Sequence, residues 1–575
     1  MTFFRVWAPR ARRVDLVLRG DERHALTGPD ELGWFSVEVE GAGAGDDYAY
    51  SLDGGDPRPD PRSPWQPDGV HGQSRLVDHA AFAWTDGGWR GGAPLAEAVI
   101  YELHVDTFSA EATYEAAIPH LDHLVELGVT AVELLPVVEY PGRWGWGYDG
   151  VDLYAPNALD GGPEGLKRLV DACHARGLSV IFDVVYNHLG PSGNYLGDYG
   201  PYFTDRYGTP WGEAVNLDGA DSDPVREFVL DNAVMWMRDY HTDGLRLDAV
   251  HAIVDTSATH ILEEMAGRVD ELEAELGVPK FLIAESDLND PRVVADREVG
   301  GYGMDAQWSD DFHHALHVVL TGERAGYYAD FGSVAQLAKA LRQAFVYDGC
   351  FSPHRRRRHG RTPAGVPTTR FLGYLQNHDQ VGNRAHGERS SMLIGEGLLK
   401  VAAALVLLGP SVPMLFQGEE WAASTPFLYF TDHDDPELGK AVTEGRRREF
   451  ASFGWDPADV PDPQDPETFR RSKLDWDEVA RPPHAGVLDW HRRLIALRRS
   501  TPGLAGGAVE VTYDDGRRWL VLTRGTVTVA CNFGIGSVTV SVPPGTVALA
   551  SDDRVSVEHD RAVLPAESVV VLQTP

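Results

Sequence analysis

From about Val99 onward, eight short runs of β-branched and apolar residues recur: VIYELHV, VTAVELLPV, LSVIFDVVY, GLRLDA, FLIAES, MDAQW, TRFLGYLQ and VPMLFQG. Helix-like segments such as GLKRLVDACHARG and DPVREFVLDNAVMWMRDYH separate most of them. Parallel neighbours need a crossover between them, so repeated strand-then-helix units imply a parallel sheet. Eight units suggest a closed (β/α)8 TIM barrel, although counting also admits an open doubly wound sheet.

The flanks follow a different grammar. FFRVWAP, VDLVL, WFSVEVE and YAYSL alternate or cluster apolar residues between Gly, Asp and Pro turns, and predict an N-terminal β-sandwich. AVEVTY, WLVLTR, VTVACNF, SVTVSV, VALAS and SVVVLQT predict a second sandwich at the other end. The expected organisation is a β-sandwich at 1–90, a barrel with inserted loops at 91–495 and a C-terminal β-sandwich at 496–575. The Pro- and Gly-rich PDPRSPWQPDGVHGQS reads as a linker, unless Trp65 and His71 pack on a neighbouring domain.

Charge narrows the partners. There are 87 acidic and 51 basic residues, a net charge of −36, which repels phosphate backbones and anionic lipid but not a neutral sugar. The run Arg355 to Arg358 reads as a solvated loop. Three scattered cysteines form no disulfide framework and no zinc pair. MTFFRVWAPRARRVDLVL lacks the apolar core of a signal peptide. A cytoplasmic protein is expected, without nucleic-acid or membrane partners.

In a (β/α)8 barrel the reacting groups project from the C-terminal strand ends. Strand three ends in Asp183, followed by Asn187 and His188. Strand four ends in Arg246 and Asp248, strand five in Glu285, and strand seven is followed by Asn377, His378 and Asp379. Carboxylates crowded at one mouth raise one another's pKa, which separates a proton donor from a nucleophile. Retaining glycoside hydrolysis needs such a pair. Arg246 points the same way as Asp248 by strand periodicity and would hold it ionised. Glu285, ending an apolar strand, suits the proton donor, and Asp379 suits sugar hydroxyls and positive charge on the ring. One strand-end Asp alone is commonly a cap or turn residue. A divalent metal site uses the same residue types, and spacing does not separate the two. Asp183 reads as structural.

DVVYNH, GLRLDAVH, AES and NHDQ, in that order and at those strand ends, resemble the four signature stretches of the α-amylase superfamily, glycoside hydrolase family 13. The resemblance implies that Asp248 is the nucleophile, Glu285 the general acid/base and Asp379 the transition-state-stabilising acid. It also implies that Arg246, His188, Asn377 and His378 surround the reacting sugar and that Tyr148 stacks beneath it. Asn187 matches a position that binds calcium in many members. No other ligand of that site is recognisable, so no metal is carried over and no cofactor is expected.

Across the whole chain, FRVWAP, QPDGVHG, ELLPVVEYPGRWGWGYDGVDLYAP, AESDLNDPR, the RRRRHGR loop and YLQNHDQVGNR are similar to stretches of the superfamily's trehalose-releasing hydrolases. That likeness implies cleavage of the α-1,4 bond beside the terminal trehalose of malto-oligosyltrehalose, giving trehalose and a malto-oligosaccharide. A malto-oligosyltrehalose synthase would be the pathway partner. Trehalose recognition is expected from His251, Asp287, Trp308, Asp310, Asp311, Gln380 and Arg384, although Trp308 and its two neighbouring aspartates also suit packing or capping. Glucan-branching enzymes are the nearest rival, but a Ser-His-Asp-Glu pattern is expected there in place of Asn377 to Gln380. A non-catalytic glycan-binding scaffold is the alternative from another class.

Other signals are weaker. GWGYDG fits a G-x-G-x-x-G pattern, yet Pro156 follows closely where a nucleotide fingerprint needs a helix. Trp144, Trp146 and Tyr148 there offer faces to sugars, with packing an equal reading for both tryptophans. His313, His314 and His317 share one helical turn and read as packed or surface histidines.

Overall fold

The computed structural model describes residues 1–209, 211–452, 455–456, 459–501 and 503–574. Eight parallel strands close into a barrel. In chain order they are β1 (Ile100–Leu103), β2 (Ala131–Leu134), β3 (Ser179–Val184), β4 (Gly244–Leu247), β5 (Phe281–Ala284), β6 (Ala306–Trp308), β7 (Phe371–Gly373) and β8 (Val412–Phe416). Each lies within one of the eight runs. Closure rules out the open doubly wound sheet. Helices including Leu121–Leu127, Gly162–His174, Asp223–Asp239 and Ile261–Leu276 form the outer ring. Between β5 and β6 the chain makes only a short 3-10 turn, Arg297–Val299, among its described elements.

Side chains alternate across each strand, so every second residue enters the lumen. An apolar layer that includes Ile100, Ala131, Ile181, Ile283 and Met414 fills the lower lumen. One step up, the same alternation puts Glu102, Glu133, Asp183 and Arg246 inside. Glu102 pairs in register with Glu133, and Asp183 with Arg246. One further step reaches Asp248 and Glu285. The barrel axis therefore runs from an apolar plug through a charged layer to the reacting groups.

At the N-terminus, a ribbon pairing Thr2–Trp7 with Trp34–Val39 and a four-stranded sheet that includes Val14–Leu18 and Asp47–Leu52 form the first sandwich. Its strand Glu22–Ala25 was not expected, because ERHA has no apolar alternation. The segment after it is no loose linker. Tyr48 donates to Asp60 at 2.8 Å, Tyr199 donates to the Pro59 carbonyl at 2.7 Å and Arg62 donates to Asp231 at 2.8 Å, strapping it to both neighbours. The His71 ring meets the Tyr195 hydroxyl at 2.6 Å. The C-terminal sandwich packs a five-stranded sheet on a three-stranded one. Arg524 reaches from it to the Leu408 carbonyl at 3.0 Å. Among the described residues no helix is long and apolar enough to cross a membrane.

Candidate active site

A cleft of about 1060 Å³ opens over the C-terminal strand ends. Asp248, Glu285 and Asp379 all line it, with Tyr148, His188, His251 and His378. Three acids 131 positions apart at the extremes thus share one cavity open to solvent.

Arg246 organises the floor. Its guanidinium is fully buried. Nη1 donates to both oxygens of Asp183, at 2.7 and 2.6 Å, and to Asp248 Oδ1 at 3.0 Å. Nη2 lies 2.9 Å from Glu285 Oε2. The indole of Trp308 sits behind it, 4.1 Å from guanidinium carbon to ring centre. Asp248 and Glu285 therefore lean on neighbouring nitrogens of one cation, which brings their carboxyls side by side.

Each acid has a further constraint. Asn187 donates its amide to Asp248 Oδ2 at 2.7 Å and to the Asp248 carbonyl at 2.9 Å. Asn187, at the position that binds calcium in many superfamily members, here aims a carboxylate. Ala249 takes the left-handed conformation, φ 39° and ψ 50°, which is rare for a side chain with a Cβ. In it, the Ala249 amide donates to Glu285 Oε2 at 2.7 Å. Burial pushes the Glu285 pKa well above the usual carboxylate range; Arg246 opposes this, while Asp248 and Asp379 add to it. Asp379 opens helix His378–Gly382 and accepts from Asn383 Nδ2 at 3.0 Å.

Tyr148 crosses the floor of the cleft. It donates to Asp183 at 2.5 Å and meets His378 Nε2 at 2.9 Å, with the two rings stacked 5.2 Å apart. Gly147 permits this approach: its φ is 93°, and a Cβ there would come 2.4 Å from the Pro136 carbonyl oxygen. Burial raises Asp183 to about 6, against the pull of Arg246. His188 stacks on Trp211 at 4.3 Å, and burial lowers its pKa.

Eight expected contacts lie outside the cleft lining. Arg246 is beneath it. Trp308, 1% exposed, packs on that guanidinium instead of offering a face to sugar. Asp311 is buried and accepts from Asn289 and from the amides of Val346 and Tyr347, holding a loop. Asn377 caps helix His378–Gly382, and Gln380 returns to the Asn377 amide; the pair is a capping box. Arg384 pairs with Glu323 at 2.8 Å and Glu388 at 3.4 Å. Trp308, Asp311, Asn377, Gln380 and Arg384 thus each hold a local packing or hydrogen-bonding role outside the cleft lining. Asp310 accepts from Tyr374 at 2.6 Å, and burial raises it to about 6. Asp287 accepts from Arg355 at 3.0 Å, so part of the four-arginine run is tied to the mouth.

Several cleft residues escaped the sequence reading. Trp211 and Glu213 come from the hairpin after β3, and Leu438, Val442 and Arg446 from helix Pro436–Ser452. None sits at a strand end, and helix periodicity does not say which side faces a cleft. Glu102 carried a signal, as an acid at a lumen position of VIYELHV. Trp146 lines the cleft edge-on to His378, whereas Trp144 stacks on Phe469. The three histidines are packed: His313 bonds the Leu375 carbonyl and the Tyr328 hydroxyl, and His317 pairs with Glu323.

Comparison with known proteins gives a consistent result. The alpha-amylase catalytic domain matches residues 111–200, and a domain of unknown function, DUF3459, matches residues 504–571. The malto-oligosyltrehalose trehalohydrolase of Arthrobacter ramosus is 54% identical over 95% of this chain and 94% of its own length. That of Saccharolobus solfataricus is 44% identical over 96% and 94%. A protein described as an alpha-amylase from Salmonella typhimurium, 38% identical, superposes with a TM-score of 0.92 over 100% of this chain and 97% of that one. A branching enzyme from Salinibacter ruber is 27% identical over 89% and 80%. On the strength of the near-full-length relatives, the chain belongs to the malto-oligosyltrehalose trehalohydrolase family, and its barrel is an α-amylase barrel.

Proposed function

We propose that this protein is a retaining glycoside hydrolase that cleaves the α-1,4 bond next to the terminal trehalose of malto-oligosyltrehalose. One observation carries the chemistry: Asp248 and Glu285 rest on neighbouring nitrogens of the buried Arg246, with Asp379 in the same cleft. The names of the relatives support the substrate.

In the first step, Glu285 gives its proton to the glycosidic oxygen while an Asp248 oxygen attacks the anomeric carbon. The carbon–oxygen bond breaks, trehalose leaves and a glycosyl ester remains on Asp248. In the second step, Glu285, now ionised, takes a proton from water, whose oxygen displaces Asp248. The malto-oligosaccharide leaves and both carboxyls return to their starting states. Acid and nucleophile share the floor, as direct attack requires; an inverting pair stands ~6.5–9.5 Å apart to admit water. The raised Glu285 pKa favours the protonated acid that the first step needs. Asp379 and His378 face the reacting sugar, and Tyr148 lies under it. His251, and Asp287 as held by Arg355, mark the side that takes trehalose. A synthase that caps malto-oligosaccharides with trehalose would supply the substrate.

The test is product analysis on maltotriosyl-trehalose beside plain maltodextrin. Free trehalose and maltotriose are expected, with the new reducing end first seen as the α-anomer. New α-1,6 branches without free trehalose would replace this reading with a transferase.

A further inference from the structure

Glu102 is the second-to-last residue of β1, 1% exposed, and takes no part in the steps above. Both of its oxygens meet one residue. Oε1 lies 2.6 Å from His378 Nδ1, and Oε2 accepts the His378 backbone amide at 3.0 Å. The other ring nitrogen, Nε2, lies 2.9 Å from the Tyr148 oxygen, whose own hydrogen goes to Asp183 at 2.5 Å.

With Glu102 and Asp183 both acting as acceptors, one arrangement of hydrogens around the ring follows. A carboxylate oxygen at Nδ1 requires a hydrogen on Nδ1. The Tyr148 hydrogen is committed to Asp183, so its oxygen accepts from Nε2, which requires a second hydrogen. We infer that Glu102 is a positioning residue that holds His378 as a doubly protonated imidazolium, with Nε2–H directed at Tyr148 and the sugar pocket.

The surroundings agree. The charged groups facing the ring are Glu102 from β1, Arg246 from β4 and the adjacent Asp379, whose Oδ1 is 3.7 Å from Nε2. Asp183 acts through Tyr148, and Glu133 and His104 lie further out. Burial alone would lower the His378 pKa, but Asp379 and Glu102 outweigh it and carry it up to about 9. Glu133, beside Glu102 in the sheet, has no partner for either oxygen among the described residues. Burial and the neighbouring Glu102 raise the Glu133 pKa well above the ordinary range.

A fixed cation beside Asp379 and Tyr148 places a positive charge at the sugar pocket. The inference rests on the cleft being the glycosidase site, so its test uses one readout that needs no substrate. The His378 ring is followed by NMR in histidine-labelled protein, its signal identified by loss in His378→Asn. Both nitrogens should stay protonated through pH 7.5. A ring carrying a single hydrogen at pH 7 would overturn the inference, whatever the substrate proves to be. In Glu102→Gln, which offers one acceptor where the carboxylate offers two, the ring should titrate at least one unit lower. The alkaline limb of kcat should move down with it, with KM within about threefold. Glu133→Gln should leave the ring signal and kcat within about twofold of wild type. An unmoved ring in folded Glu102→Gln would also overturn the inference, and if that variant does not fold, the wild-type ring signal decides.

Discussion

Asp248 and Glu285 reach the cleft from the ends of two adjacent strands and meet, with Asp183 beneath them, through one buried guanidinium, whereas Trp211 and Leu438 reach the same cleft from a hairpin and a helix that belong to no barrel strand. On the floor each charge has a charged partner and a second anchor, such as Asn187 for Asp248 or the Ala249 amide for Glu285. On the wall the contacts are mixed: Trp211 stacks on His188 and Arg446 donates to Asn383 at 2.9 Å, while outside the lining Arg355 pairs with Asp287. The floor is preorganised for one reaction, because its geometry is set by the hydrogen-bonded sheet. The wall is free to vary, and with it the choice of sugar.

The sharpest break in that contrast is Glu285→Gln. It should lower kcat by on the order of 10⁴-fold, with bound substrate retained and the fold unchanged by circular dichroism. In the wild type the acid must hold its proton, so turnover should fall as pH rises through the raised Glu285 pKa. Turnover within tenfold of wild type would remove Glu285 from its role.

Arg246→Met comes next and tests the floor as a unit. It leaves Asp183 and Asp248 without their cation, at a cost of about 3–5 kcal/mol of stability. Activity should fall with it. A variant of normal stability in urea unfolding would show that the acids do not depend on that guanidinium.

The wall predicts smaller and more selective effects. Asp287→Ala frees Arg355 and should raise KM for maltotriosyl-trehalose by about tenfold, ~1.4 kcal/mol, with kcat within threefold. An equal loss on kcat would place Asp287 with the floor. Arg384→Met should cost about 1–2 kcal/mol and leave KM unchanged, because Arg384 is spent on Glu323. The bonds from His317 and Arg384 together outweigh burial and bring Glu323 from 4.5 to about 2. A carboxyl lowered on folding contributes stability in full above its unfolded value and loses it as pH falls toward 2. Acid unfolding of Arg384→Met should therefore begin at higher pH than in the wild type.

The same contrast explains what could be read from the chain. All eight barrel strands were legible, because short β-branched and apolar runs recurring between helix-like segments are a local signal. Asp248, Glu285 and Asp379 followed from it, since strand ends converge once a barrel closes. The surroundings of Trp308, Asp311 and Arg384 were not legible, for one reason. They sit near the right loops, but nothing in sequence distinguishes a side chain facing the cleft from one facing Arg246, a loop amide or Glu323. Strand Glu22–Ala25 was missed because ERHA is mostly exposed and has no apolar stripe to read. Trp211 was missed because its partner His188 is distant in sequence and reached by a hairpin.

Ala249 leaves a practical constraint on redesign. Its backbone lies where a branched or bulky residue is strongly disfavoured, and its methyl group lines the reaction cavity, so enlargement fails on two independent counts. Saturation at that codon should return active clones almost wholly with glycine or alanine, and the glycine clones would reveal how much of the enzyme's rate depends on a hinge that has no freedom to relax.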